Sequence, residues 1–263
     1  MTNGRITLPV GIYLVVMFTF IYLPVVILVL FSFQHGLLPI PPFEGPSLEW
    51  YTKALSNDRL MDALLNSIII AASSSFCAMF LGFFAAYGMF KHTPVGVRAV
   101  RFILMAPMTV SYLIIGLGLL IVFNFSGIGK SLVSVGIAHC VINLPICYAI
   151  IYSQLGGQLR NIDNAAHDLG ASDLQTMVYV ILPTMVPPMM AAFLISATLS
   201  WDEFIIAFLL SSFDVTLPVM IFEMLRAGLT PEVNAAGTIV FAISVGMAFL
   251  AAFAILIRPG RQS

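Results

Sequence analysis

The stretch ALLNSIIIAASSSFCAMFLGFFAAYGMF, residues 63–90, contains no charged residue over 28 positions. A helix of about 20 mainly apolar residues is long enough to cross the hydrocarbon core of a bilayer. The stretch lacks the strict alternation of apolar and polar residues that is typical of a membrane β-strand. Residues 63–90 therefore predict a transmembrane helix.

Other uncharged windows of similar length follow the same pattern, at residues 6–43, 102–129, 131–159, 174–201 and 233–257. Each is long enough for one span. The first apolar stretch is too long for the core of a signal peptide, so we expect it to be retained as a helix. We predict an all-α polytopic membrane protein, a single transmembrane domain over residues 1–263, with six transmembrane helices near residues 10–33, 61–90, 102–124, 131–153, 183–211 and 235–257.

The composition of the 263 residues agrees with a membrane location, because 60% are hydrophobic and only 9% are charged. Soluble domains carry about 25% charged residues. The net charge of −1 provides no basic surface for nucleic acid. The three cysteines and four histidines have no disulfide-framework or metal-site spacing, so we expect no bound metal; they are Cys77, Cys140, Cys147, His35, His92, His139 and His167.

The distribution of Lys and Arg predicts the orientation of the chain, since cytoplasmic segments carry the excess of these residues. With both termini inside, seven of the eleven lie in inner segments, including Lys91, Arg160 and Arg258. The outer segments hold four. We predict a multi-pass membrane protein with both termini cytoplasmic.

Residues 154–182, called the 154–182 loop below, are too long for a simple connection between spans four and five. Gly156-Gly157 should end span four, and Asn161 or Asp163 can cap a short new helix. Its apolar and small residues follow the spacing of one helical face, with Asp163, His167 and Asp173 mostly at the other positions. A helix lying on lipid headgroups is one interpretation. Docking to a protein is the other, and it is favoured because three Asp and one Arg would not suit an anionic lipid surface.

The 154–182 loop also resembles the EAA loop of ABC importer permeases. Asn164-Ala165-Ala166, Gly170 and the ending Val180-Ile181-Leu182-Pro183 have the spacing of that motif, although Asn164 replaces the usual Glu and Val180 the usual Ile. The similarity extends over almost the whole chain, through Trp50-Tyr51, Asn66-Ser67 and Ser200–Phe204. The subgroup that it resembles is the second permease of spermidine/putrescine-type uptake systems.

This resemblance implies a type I ABC importer permease fold with a cytoplasmic coupling helix, located in the bacterial inner membrane. It implies pairing with a second permease, expected to be a different chain, to enclose one pathway. It also implies a cytoplasmic ABC ATPase dimer and a periplasmic substrate-binding protein as partners. The residues implied to dock on the ATPase are Asn164, Ala165, Ala166, Gly170, Leu174, Leu182 and Pro183.

The sequence contains no nucleotide-binding motif. The only near match to a phosphate-binding loop is Gly129-Lys130-Ser131, but Asn124 stands where the first glycine belongs. We therefore expect no cofactor in this chain, and ATP with Mg²⁺ in the partner ATPase. Paired catalytic aspartates, a Ser–His pair and an HExxH motif are also missing from the sequence, so we predict that the chain is not an enzyme.

Ionisable residues at membrane depth are functional candidates by default. Asp202 and Glu203 interrupt span five, and adjacent residues on a helix diverge by about 100°. One carboxylate is expected to face a substrate pathway and the other a neighbouring helix; the alternative is a buried hydrogen-bonded pair that fixes packing. Trp201 can hold an ammonium group by a cation–π contact or fill a helix interface.

Three further pathway candidates are His139, Asn143 and Tyr112. His139 and Asn143 share a helix face, and interhelical hydrogen bonding is their alternative role. The resemblance favours a polyamine-like or other small organic cation as substrate, although Met108-Thr109-Val110 lacks the carboxylate expected there. Another small polar solute is the alternative. A secondary transporter or channel is the rival class, but it would usually carry internal repeats, and the sequence shows none.

Overall fold

The computed structural model describes residues 8–92 and 96–256. Within these residues the regular structure is helical, apart from an isolated bridge between Gln34 and Pro46. The helices are α1 (Leu8–Ser32), α2 (Glu49–Leu55), α3 (Asp58–Lys91), α4 (Val97–Met105), α5 (Tyr112–Phe125), α6 (Leu132–Tyr152), α7 (Gly157–Asp168), α8 (Asp173–Thr176), α9 (Leu182–Trp201), α10 (Ile205–Leu210), α11 (Leu217–Ala227) and α12 (Pro231–Leu256). The predicted all-α class is confirmed for the described residues.

The helices that are long and apolar enough to cross a membrane number five within the described residues, or six if one bent pair is a single span. The five lie at Pro9–Ser32, Asp58–Lys91, Leu132–Tyr152, Asp173–Trp201 and Pro231–Leu250. They agree with predicted spans one, two, four, five and six in place, with boundaries shifted by several residues.

The bent pair corresponds to predicted span three. Its first part, Val97–Thr109, and its second part, Tyr112–Phe125, meet at an angle of 108°. Ala106–Thr109 forms a 3₁₀ turn around Pro107, and Val110 and Ser111 have extended backbones. Proline cannot donate a backbone hydrogen bond and disfavours a continuous helix. The single span expected near 102–124 therefore consists of two helices.

Predicted span five is also interrupted. Its helical path begins at Asp173, ten residues before the expected start, and passes through a π-helical turn at Met177–Ile181. The wider turn lies just before Pro183, which lacks the N–H that a regular α-helix would use. After Trp201 the helix stops, and α10 begins at Ile205.

The described chain divides into two compact units, one of residues 8–61 and 221–242, and the other of residues 62–220 and 243–256. In the first unit, Gln34 joins the segment after α1 by accepting from Glu44 N and donating to Pro42 O. Trp50 is only 6% exposed, with Lys53 Nζ 4.2 Å from its ring centroid.

The second unit has its core between α3, α6 and α9. Its buried members include Phe83, Ala86, Ile151 and Met185. The backbones of α3 and α6 approach so closely at Gly82 that an added Cβ would lie 2.9 Å from Tyr148 N. Small residues at such positions are the usual means by which membrane helices pack. The site candidates described below lie in this unit.

Candidate functional site

The helix of the 154–182 loop begins earlier than the sequence predicted. The helix α7 starts at Gly157 with Gly156 as its N-cap, so Asn161 and Asp163 lie inside it rather than at its start. Leu159 N and Arg160 N both bond to Gly156 O. These bonds form the first turn of α7, and no side chain caps its N-terminus.

The exposure of the loop residues does not follow their polarity. Asp163 is 5% exposed, because an ion pair with Lys91, 2.8 Å from Asp163 Oδ2, holds the carboxylate inward. The apolar Leu169 and Leu174 are 89% and 66% exposed. The loop therefore presents apolar side chains outward.

Gly170 has a backbone role. Its φ is +87°, in the left-handed region that glycine adopts with little cost. Gly170 N donates to His167 O and Ala171 N donates to Ala166 O, which is the Schellman arrangement at the end of a helix. An added Cβ would meet nothing within 4 Å in this chain, so the turn by itself accounts for a glycine at this position.

The other residues implied to dock on an ATPase are mostly accessible. Asn164, Ala165 and Pro183 are exposed, and Ala166 and Leu182 are half-buried. Ser172 and Gln175 form a reciprocal capping box that starts α8 immediately after the glycine turn. Such a cap satisfies two backbone donors at once. The loop is thus two capped helices with an exposed corner between them.

A buried chain of polar side chains, called the polar cluster, crosses the second unit. It contains Ser74, Ser200, His139 and Glu203. Ser200 Oγ lies 3.2 Å from Ser74 Oγ and 2.7 Å from His139 Nδ1. His139 Nε2 lies 3.3 Å from Glu203 Oε2. The cluster thereby joins α3, α6, α9 and the start of α10.

Glu203 has a structural explanation in this arrangement. Its carboxylate accepts hydrogen bonds from Ile206 N and Ala207 N, at 3.0 and 3.1 Å. These are orphan donors of a helix N-terminus, where a negative charge is favourable. With 5% exposure, Glu203 fits the packing alternative better than contact with substrate.

Asp202 lies in a different environment from Glu203. It is exposed, and its Oδ1 accepts from Ser244 Oγ at 3.0 Å. Trp201 Nε1 donates to the same hydroxyl at 3.0 Å, and the indole is 2% exposed. A ring so buried favours interface packing over a cation–π contact. Of the three neighbouring candidates, Asp202 alone has an accessible polar group.

The remaining pathway candidates also differ in their exposure. Tyr112, at the start of α5, is 38% exposed, whereas Asn143 is 1% exposed. Both polar atoms of the Asn143 amide have no partner among the described residues. A groove of about 550 Å³ lies along α3 and α6. Its lining includes Ser73, Ser74 and Cys140, but neither His139 nor Asn143.

Sequence reasoning missed Lys91 and the hydrogen bonds of Ser74 and Ser75. Ser74 bonds to Ser200, and Ser75 accepts from Ser196 Oγ at 3.0 Å. Lys91 was assigned only to the charge count. A signal existed, because Asp163 and His167 are four residues apart and therefore share one helix face.

The chain combines bent and interrupted apolar helices with the 154–182 loop, which contains α7 and α8 and carries the EAA spacing. These features define a multi-span membrane permease subunit. A family model described as binding-protein-dependent transport system inner membrane component matches residues 78–258. The chain belongs to this family. It is a permease of a binding-protein-dependent ABC importer and a component of the inner membrane.

Curated relatives narrow the subgroup. The chain is 31% identical to the spermidine/putrescine transport system permease protein PotC of Haemophilus influenzae, over 90% of this chain and 93% of that one. It is 32% identical to the putrescine transport system permease protein PotI of Escherichia coli K12, over 93% and 89%. Both relatives are transport permeases and not enzymes.

A solved structure supports the fold. The chain resembles a permease chain in the crystal structure of a bacterial alginate ABC transporter in complex with its alginate pentasaccharide-bound periplasmic protein. The TM-score is 0.72 at 17% identity, over 94% of this chain and 93% of that chain. At this level of identity the likeness concerns the fold alone.

Proposed function

We propose that the chain forms half of the translocation pathway of an ATP-driven importer, together with a second permease of a different sequence. In this assembly a cytoplasmic ABC ATPase dimer, which holds ATP and Mg²⁺, docks on the 154–182 loop. A periplasmic binding protein delivers the substrate at the opposite side, and both termini are cytoplasmic. Family membership supports each of these partners.

The observation that carries the docking proposal is the outward position of Leu169 and Leu174, 89% and 66% exposed. Exposed apolar side chains next to a capped helix corner are typical of a surface that is covered by a partner. A lipid-bound helix would instead carry basic residues on its polar face. The exposed side of α7 carries Asn161, Asn164 and Asp168, which favours a protein partner.

The test is a charge placed on this surface in the complete transporter. Leu169→Asp and Leu174→Asp should reduce co-purification of the ATPase subunit, while the folded permease remains at its usual amount. Leu229→Asp is the matched control, because Leu229 is 63% exposed and lies between α11 and α12, on the predicted outer side. Undiminished ATPase association in both loop variants would contradict docking at this surface.

For the substrate, we propose a small organic cation of the polyamine class. The names of the relatives and the accessible carboxylate of Asp202 support this class, because a carboxylate stabilises an ammonium group where water is scarce. Another small polar solute is the alternative. Uptake of labelled putrescine and spermidine into proteoliposomes, with the cognate binding protein outside, distinguishes the two. Transport of neither amine by an active complex would exclude the polyamine class.

A further inference from the structure

Lys91, the last residue of α3, contacts both helices of the 154–182 loop. Its Nζ lies 2.8 Å from Asp163 Oδ2 on α7 and 3.1 Å from Asp173 Oδ1 at the start of α8. It also lies 2.6 Å from His167 Nε2. An ammonium group has three protons to donate and no acceptor, and carboxylate oxygens from both helices of the loop accept from it.

This contact is more sheltered than an ordinary surface ion pair. The side chain of Lys91 is 15% exposed and that of Asp163 is 7% exposed. Exposed pairs contribute little to stability, whereas removing one partner of a buried pair leaves an uncompensated charge. The loop is therefore held to the end of α3 by an interaction that is costly to break.

A second contact joins the same two elements. Arg160 of α7 donates to Phe90 O at 3.3 Å, and its guanidinium carbon lies 5.4 Å from the Phe90 ring centroid. The carbonyls at a helix C-terminus are unpaired and favour a cation nearby. The end of α3 and the helix α7 thus each contribute one cation that contacts the other element: Lys91 of α3 contacts α7, and Arg160 of α7 contacts α3.

The helix α3 continues from this junction to the polar cluster. Ser74, which bonds to Ser200, precedes Lys91 by 17 residues on the same helix, a distance of about 26 Å at 1.5 Å per residue. Between them α3 packs on α6 and α9 through buried Phe83 and Ala86. The packing along α3 is therefore continuous between the loop and the polar cluster, so that a displacement of the loop can be transmitted along this helix.

We propose that Lys91 is a positioning residue that transmits movement of the 154–182 loop to α3, and along α3 to the polar cluster next to Asp202. This role rests on the proposed function, since the loop moves with the ATPase only if it docks there. Lys91 itself does not face the partner, because its ammonium is enclosed by the loop. Removing the Lys91 ammonium should uncouple ATP hydrolysis from transport while leaving the docking surface in place.

The test uses the complete transporter in proteoliposomes and compares Lys91→Met, Lys91→Arg and wild type. For Lys91→Met we expect normal ATPase co-purification, but substrate imported per ATP hydrolysed reduced about tenfold or more, as for the loss of a charged hydrogen bond. Lys91→Arg keeps the charge and should recover part of the ratio. Arg101→Met is the control, since Arg101 is an exposed cation that bonds Tyr152 Oη rather than the loop.

A second variant keeps the proposal testable if Lys91→Met does not fold. Asp173 is 68% exposed, so Asp173→Asn removes one partner of Lys91 without burying a lone charge, and it should lower the coupling ratio about two- to tenfold. Wild-type coupling in Lys91→Met, or in Asp173→Asn, would overturn the proposal. Loss of the ATPase subunit from folded Lys91→Met would also overturn it, because Lys91 would then belong to the docking surface.

These outcomes are separate from failure of the docking proposal. Docking fails if Leu169→Asp and Leu174→Asp retain the ATPase subunit, whatever the coupling ratio of the Lys91 variants. The Lys91 role fails if docking is intact and coupling is unchanged.

Discussion

Asp202 and Glu203 are adjacent in the chain, but their carboxylates lie in opposite environments. Glu203 is buried, with a carboxylate oxygen 3.3 Å from His139 Nε2, and its carboxylate accepts hydrogen bonds from Ile206 N and Ala207 N in the first turn of α10. Asp202 is exposed and bonds to Ser244 on α12. The separation arises because α9 ends at Trp201 and α10 begins at Ile205, so the chain turns between the two helices. Different consequences are expected when each charge is removed.

Asp202→Asn should lower uptake of a cationic substrate about ten- to a hundredfold, the range for loss of a hydrogen bond to a charged group. The amide oxygen can still accept from Ser244, so the fold should persist. Uptake normalised to folded complex is the measurement, with Ser244→Ala as the control that removes the bond and keeps the charge. Normal uptake by Asp202→Asn would remove Asp202 from the pathway.

Glu203→Ala should destabilise the protein rather than alter specificity. Buried donors left without an acceptor cost about 1–3 kcal/mol, and the N-terminus of α10 loses the carboxylate that accepts from Ile206 N and Ala207 N. Thermal unfolding of the solubilised permease measures the loss. The double variant with His139→Ala should be less destabilised than the sum of the singles, because the two residues are in contact. Strict additivity would contradict the pairing.

Gly170→Ala should weaken the loop at its corner. A residue with a Cβ pays about 1–2 kcal/mol in the left-handed region, so the Schellman turn is strained although space is available. We expect reduced ATPase co-purification at an unchanged amount of folded permease. Gly157→Ala is the matched control, since Gly157 has open space and no positive φ. Equal association for both variants would show that the corner geometry is unimportant for docking.

The predicted orientation is testable by cysteine labelling in a Cys77→Ser background, because Cys77 is the exposed native cysteine. Ser56→Cys, after α2, should react with an impermeant reagent from outside. Asp168→Cys, in α7, should react only after the membrane is opened. Both positions are exposed, so accessibility does not separate them. Labelling of both from the same side would contradict six spans. Arg5, Arg258 and Arg261, which contribute to this prediction, lie outside the described residues.

The sequence by itself determined the class of this protein. Long uncharged windows indicate membrane helices because the cost of charge in hydrocarbon depends only on local composition. The spacing from Asn164 to Pro183 indicated the family, and the match over residues 78–258 confirms it. The single domain over residues 1–263 and the individual pathway residues remain predictions.

Only the tertiary structure decided which polar residues meet. Lys91 and Asp163 are 72 positions apart, and so are brought together by packing of α3 against the loop rather than by any local periodicity. The same packing turned Asp163 inward and left Leu169 and Leu174 exposed. Periodicity places residues on a helix face, but the partner that covers that face is set by the fold. For that reason the sequence predicted the docking loop, while its outward surface and its connection to α3 required the structure.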